Sequence, residues 1–384
     1  MKKFLAVLLC TVFCISLAAC TKNENNETNN GAEPTATTTP LKTSVEEGVN
    51  LITGYKTGDV TLGQYTGITY KPLSTEVTDE EVQVELDNYL YSYKSKVEIT
   101  DRDIVESGDI VDLNYEGFKD GVAFSGGTGS KDNLEIGSGA FIPGFEDALI
   151  GHQKGTSFSI DVTFPENYGN TDLAGQPATF NITLNGIYKY VIPEATDEFI
   201  SEKTTQKYTT VEAYKENLRN QIRSEKEEEA EESKQYLVAQ KLIDNTTFNM
   251  DMEAEVQRGY ESLIAYNNSM TMGTYGMDAA GFYYTYYGLP LEQYEKMMRE
   301  QAEFSVRYEF ARSAIVEAEN FEVTDKEIEE LATKQMNAYN YTSLEEFYSA
   351  LEQANGVEAK LYLREQVKLN KASDLVYSTA IPEE

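Results

Sequence analysis

A chain of 384 residues is long enough for two or three domains, each able to bury its own core, and is no small stapled scaffold. Thirty-two basic against 65 acidic residues give a formal net charge of -33, which repels phosphate backbones and anionic headgroups and argues against a nucleic-acid partner. Hydrophobic content of 40%, with 27 tyrosines and no tryptophan, is too apolar and aromatic for a disordered chain.

The chain opens with Met1-Lys2-Lys3, an apolar run from Phe4 to Ser16 that is too short to span a bilayer, and Leu17-Ala18-Ala19-Cys20. This resembles a bacterial lipoprotein signal; the other reading is an ordinary secretory signal with an incidental cysteine. The resemblance implies that residues 1–19 are a signal peptide, that Cys20 becomes a lipidated N-terminus, and that the protein is lipid-anchored to the cell membrane on its extracytoplasmic face. Cys10 and Cys14 would leave with the signal, so the mature chain could form neither an intrachain disulfide nor a cysteine metal site. Residues 20–49 are rich in Asn, Glu and Thr with no apolar period, the composition of a disordered tether.

Residues 50–101 read as an arm that packs with the C-terminal half. Val60 to Tyr70 alternates as one strand, and a capping box at Thr78 and Glu81 opens a helix over about 79–96, with Val82, Leu86 and Leu90 on one face. From Asp109 the apolar period becomes two, through Val111, Leu113 and Tyr115, then Phe158, Ile160, Val162 and Phe164, then Phe180, Ile182 and Leu184. Shorter strands near 122–124 and 134–136 bring the total to about five, with the glycines from Gly126 to Gly139 breaking the middle into loops. That glycine run lacks the lysine-serine ending of a phosphate cradle. One short helix is expected where Pro143 can start it, Phe145, Ala148 and Leu149 share a face, and Gly151 ends it. Around it, Phe141, Ile142, Phe164 and Tyr168 fall at turns and strand ends, where they suit a pocket as well as an interior.

Beyond Pro193 the pattern is helical to the end. A capping box at Thr209 and Glu212 starts a long helix whose middle, 226–232, is a solvated charge run, and further helices fit 252–267, 290–318, 325–339, 343–354 and 358–375. Between Ser269 and Met298 tyrosine and methionine are concentrated, which suits either an adaptable surface for unfolded chains or ordinary interhelical packing.

The chemistry is bounded by what is scarce. His152, the one histidine, lies in a turn-like setting and reads as a surface residue, so no histidine pair can hold a metal, and carboxylates are too many for any pair to stand out. No cofactor or metal is expected. A cluster of aromatics remains, and prolyl isomerisation needs little else: it breaks no bond and must lower a resonance barrier of about 18–20 kcal/mol. A dry aromatic cleft can do that without acid, base or metal.

Gly108 to Gly117, Asp120 to Gly127, Ile136 to Glu146, Gly151 to Gly155, Val162 to Tyr168, Leu173 to Gly175 and Ala178 to Phe180 together resemble the FKBP-type peptidyl-prolyl isomerase domain of the trigger factor family. The resemblance places that domain at 102–193 and a helical chaperone domain at 194–384. It implies an α+β fold, with an FKBP-like antiparallel sheet wrapped around a short helix, plus an all-helical trigger factor-like domain. It also implies a pocket of Tyr115, Phe124, Ile142, Phe145, Phe164, Tyr168 and Phe180. In that pocket Phe145 forms the floor, the Ile142 N–H receives a substrate carbonyl, and the Tyr168 hydroxyl donates a second bond. Ser125 stands where the family usually has an acidic residue, and Leu134 where an aromatic is common at the pocket edge. The partners implied are unfolded or newly exported polypeptides and the membrane through Cys20, with no nucleic acid. The family's ribosome-docking N-terminal domain has no counterpart, so no ribosome docking is expected. The other reading is a non-catalytic holdase or adaptor that binds proline-containing segments.

Overall fold

The computed structural model describes residue 50 and residues 52–383; the expected signal, Cys20 and the tether lie outside the described residues. The chain forms two compact units, one of Val77–Arg223, the other joining the chain up to Glu76 with Ser224–Glu384. The arm expected over 50–101 is therefore divided between them.

In the second unit the chain begins with β1 (Val60–Thr61) and β2 (Thr69–Tyr70), two short strands where one was expected. The strand cannot run on, because Gly63 lies against the Asn245 carbonyl with no room for a Cβ, and Gly67 turns the chain at φ +64°.

The Val77–Arg223 unit starts with α1 (Asp79–Ser92), whose Thr78 and Glu81 form the expected capping box. Val82, Leu86 and Leu90 bury against Ile200, Tyr214 and Leu218. The helix stops short of residue 96, because β3 (Ser95–Glu98) pairs antiparallel with Tyr188 to Val191. Lys96 is held there by Asp112 at 2.8 Å and by the Tyr188 ring at 4.4 Å, so edge pairing overrides its helix propensity.

The sheet continues with β4 (Ile110–Lys119), β5 (Val122–Glu135), β6 (Ser157–Thr163) and β7 (Pro177–Val191). The order is β3-β7-β4-β5, with β6 also on β7, so the longest strand organises the rest. The sheet's inward residues Val111, Leu113, Ile160, Ile182 and Leu184 pack with Phe145 and Leu149 in one core. β5 continues through Gly126, Gly127 and Gly129, which were expected to open loops, with a register shift against β4 between Glu116 and Phe118, while Gly137 and Gly139 lie beyond its end as expected. The short helix is a single 3-10 turn, Asp147–Leu149, reached through i to i+3 bonds such as Phe145 N–H to Ile142 O at 3.1 Å. Gly144 and Gly151, both at positive φ, bracket it too closely for a full α-helical run.

After the sheet come α2 (Asp197–Lys203), which was not foreseen, and α3 (Val211–Asp244), which begins in this unit and ends in the other. Its cap is Thr210, one residue later than expected, accepting the Ala213 N–H at 3.1 Å.

Back in the second unit follow β8 (Thr247–Phe248), α4 (Glu253–Tyr275), α5 (Ala279–Tyr287), α6 (Leu291–Glu319), α7 (Asp325–Ala338), α8 (Leu344–Asn355), α9 (Ala359–Ser378) and β9 (Ile381–Pro382). β1 pairs with β8, and β2 lies parallel to β9, which ties the start of this unit to its end. α4 extends well past residue 267, to a left-handed cap at Gly276, and α5 is an addition to the expected helices.

Candidate active site

Three strands and two turns of the Val77–Arg223 unit meet at an open cleft of about 470 Å3. β4 and β5 contribute Tyr115 and Phe124, and the glycines near them are required by these rings. A Cβ on Gly117 would stand 2.6 Å from Phe124 and 2.7 Å from Phe180, one on Gly127 2.7 Å from Phe124, and one on Gly129 2.7 Å from the Tyr115 hydroxyl. The rings lie flat over backbone that only glycine leaves bare.

β7 supplies Phe180, which meets Phe145 edge-on at 5.3 Å and Phe124 at 5.9 Å. The exit of β6 supplies Phe164, with Tyr168 tilted against it at 4.6 Å. Tyr168 is placed by a turn in which its N–H donates to Pro165 O at 3.1 Å.

The remaining wall is the loop from Gly137 to Pro143, held from inside by the buried Glu146 carboxylate. It accepts the N–H groups of Gly137 at 2.9 Å, Gly139 at 3.0 Å and Phe141 at 3.1 Å. Burial alone would push this carboxyl up, but the surrounding backbone donors outweigh it and hold the group below its ordinary range. The loop ends on Ile142, whose N–H donates to no partner among the described residues, and the same holds for the Tyr168 hydroxyl.

Of the seven residues expected at the pocket, Tyr115, Phe124, Ile142, Phe164, Tyr168 and Phe180 line the cleft together. Phe145 lies beneath it, fully buried, with Phe141 stacked on it at 4.4 Å. The surface of the floor is thus Phe141, which lines the cleft with Ala140, Pro143, Pro165 and Gly126. The sequence offered Phe141 only as a general pocket or interior residue. Glu146 was overlooked; its signal was a carboxylate directly after Phe145, closing an apolar turn that follows a glycine-rich loop.

Leu134 is not at the pocket edge but inside the core, paired across from Val111, and Ser125 is exposed and outside the lining. His152 is not a free surface residue: its ring stacks on Phe158 at 3.5 Å, nearly parallel. Among the described residues no group of three or more His, Cys, Asp or Glu could hold a metal ion, and no helix is long and apolar enough to cross a membrane. Among the described residues, the ionisable groups that line the cleft are the two tyrosine hydroxyls. The arrangement can grip an apolar ring and offer hydrogen bonds to a carbonyl; it offers no acid, base or nucleophile of ordinary reactivity.

Residues 102–185 match the model of the FKBP-type peptidyl-prolyl cis-trans isomerase family, and residues 210–378 that of the bacterial trigger factor protein C-terminus. Among curated proteins, the trigger factor of Agathobacter rectalis is 34% identical over 319 residues, covering 83% of this chain and 69% of its own. That of Anoxybacillus flavithermus is 35% identical over 336 residues, with 86% and 76% covered. That of Bacillus cereus is 34% identical over 339 residues, with 87% and 77% covered. A solved trigger factor chaperone chain overlaps 83% of this chain and 72% of its own at 19% identity, with a TM-score of 0.37, too low to bear on the fold.

Proposed function

The chain belongs to the trigger factor family and is a peptidyl-prolyl cis-trans isomerase of the FKBP type, and on that footing we propose that it is a membrane-tethered foldase working outside the cytoplasm. In this reading exported polypeptides arrive unfolded, the helical unit holds them, and the aromatic cleft isomerises their Xaa-Pro bonds. Uncatalysed isomerisation takes about 10–100 s, long enough to leave a chain exposed to aggregation.

The proline ring sits among Phe124, Phe164 and Phe180 over the Phe141 and Phe145 stack, the Ile142 N–H receives a substrate carbonyl, and Tyr168 donates a second bond. A twisted amide has lost its resonance and is less polar than a planar one, so a water-poor aromatic wall favours it over the ground state. The observation that supports this most directly is the pair of unpartnered donors on one apolar cleft. Client holding is supported by the exposed side chains of Met270, Met272, Tyr275, Tyr284, Tyr286 and Tyr287. Extracytoplasmic anchoring is supported by the sequence from Met1 to Cys20 alone.

Exchange spectroscopy on an Ala-Leu-Pro-Phe peptide tests the site. Wild type should accelerate cis/trans exchange, and Tyr168→Phe should lower kcat/KM roughly two- to tenfold, the worth of one hydrogen bond of about 0.5–1.5 kcal/mol. No change in Tyr168→Phe and Phe164→Ala together would sink the assigned cleft. Cys20→Ala should move the protein from the membrane to the soluble envelope fraction or medium; continued membrane retention would refute the lipid anchor.

A further inference from the structure

The helical unit has a second cleft, of about 540 Å3, at the meeting of α3, α6, α7 and α9, and its lining includes Gln235, Arg312, Lys334, Gln335, Asn370 and Asp374. Two cations against one carboxylate is an unusual balance in a chain of net charge -33. Arg312 is poorly satisfied for a residue whose side chain is only 11% exposed. Its nearest carboxylate, Glu309, is 3.9 Å away, its Nη1 donates one 3.3 Å bond to Ser373 Oγ, and its Nε donates to nothing among the described residues. The Tyr308 ring also lies against it at 4.7 Å. The buried Gln335 donates its Nε2–H to Gln366 at 3.0 Å and leaves its Oε1 without a donor. Lys334 makes no ion pair among the described residues.

A guanidinium taken out of water is costly unless an anion or a set of acceptors replaces the lost hydration, and a carboxylate fits its fork in two parallel bonds. Water filling the cleft would satisfy single atoms and leave Glu309, at 3.9 Å, as the one carboxylate paired with this guanidinium among the described residues. An unfilled acceptor in the same lining adds a second requirement, because a ligand that is all acceptor, such as inorganic phosphate, has nothing to give Gln335. We propose that this cleft binds an α-carboxylate that carries its own N–H, the group found at the free C-terminus of a polypeptide and in small N-acylated amino acids. Arg312 and Lys334 take the carboxylate, Gln335 Oε1 accepts the neighbouring N–H, and Leu331, Ala338 and Leu369 receive the side chain.

Calorimetric titration of the full chain tests this with N-acetyl-leucine, its carboxamide, inorganic phosphate, and a proline-free hexapeptide ending in leucine, as free acid and as amide. The acids should bind and the amides should bind about tenfold or more weakly. Lys334→Gln, at an exposed position, should weaken acid binding severalfold with unchanged melting and unchanged prolyl exchange, and Arg312→Lys should weaken it further. A hexapeptide acid that binds at least about tenfold tighter than N-acetyl-leucine identifies chain ends as the ligand; equal affinities identify the small carboxylate. The proposal is overturned by amides binding as well as acids, by phosphate displacing N-acetyl-leucine, by Lys334→Gln without effect, or by no heat at millimolar ligand. Prolyl exchange is read separately, so the two clefts fail or stand independently.

Discussion

Glu146 is the single side chain on which the geometry of the isomerase loop turns. Three backbone N–H groups at 2.9–3.1 Å end on its carboxylate, and that loop leads to the free Ile142 N–H. Because its folded pKa is depressed, it adds stability above the ordinary carboxylate range, and that stability is lost as pH falls through this range toward the lower folded value. Urea melts of wild type should weaken over that acidic window, while Glu146→Gln should show a flatter profile there. At neutral pH the same substitution should cost about 1–3 kcal/mol, since an amide cannot accept at both ends and leaves a donor unsatisfied. An unchanged acid profile would remove Glu146 as the holder of the loop. Phe145 is a less direct probe of chemistry: fully buried, it should cost about 3–5 kcal/mol as Phe145→Ala, so its activity loss mixes folding with catalysis.

At the scale of elements, local rules held where the partner was near in sequence. The capping box at Thr78 forms, and so does one at Thr324, each from a hydroxyl and a carboxylate three residues apart, whereas the box expected at Thr209 and Glu212 gives way to a cap at Thr210. In the Thr324 box, the Lys371 ammonium on α9, followed by the Thr324 backbone and hydroxyl, pulls the Glu327 carboxyl down to about 2. Thr324→Ala should lower stability by about 1 kcal/mol, read from the urea midpoint. β5 followed a different rule. Its glycines looked like loop signals, yet Phe124 lies against Gly127 and Tyr115 against Gly129 within one strand, and across the sheet on β4 Gly117 makes room for Phe124 and Phe180 in the same way. Gly117→Ala should therefore displace both Phe124 and Phe180, costing about 1–3 kcal/mol in stability and reducing prolyl exchange by more than the unfolded fraction explains. Exchange that tracks the folded fraction alone would show that the rings tolerate the added methyl.

For the whole molecule, the Tyr and Met concentration near residue 280 divides between the two readings the sequence left open. Ala279, Tyr294 and Met298 are buried with Leu263 in a small core, while Tyr284, Tyr286 and Tyr287 are exposed on α5. Replacing those three exposed tyrosines with serine should leave prolyl exchange unchanged and reduce suppression of aggregation of an unfolded test protein severalfold. Each surface change should move stability within about 0.5 kcal/mol, so the loss would not be one of folding. Undiminished suppression would take the holding role away from this face.

By itself the sequence determined the local elements, because short-range periodicity and turn chemistry are local, and its family resemblance pointed to the class of chemistry and to seven pocket side chains, six of which meet in one cleft. Only the tertiary structure decided what depends on distant neighbours. Val111 across the sheet puts Leu134 in the core, Phe158 stacks on His152, the Tyr188 to Val191 segment draws Ser95 and Lys96 out of the expected helix, and Phe141 covers Phe145 at the floor. The physical reason is common to all four. Which face a side chain presents, and whether it ends in a core or at a cleft, is set by partners many residues away, and a one-dimensional pattern does not name them.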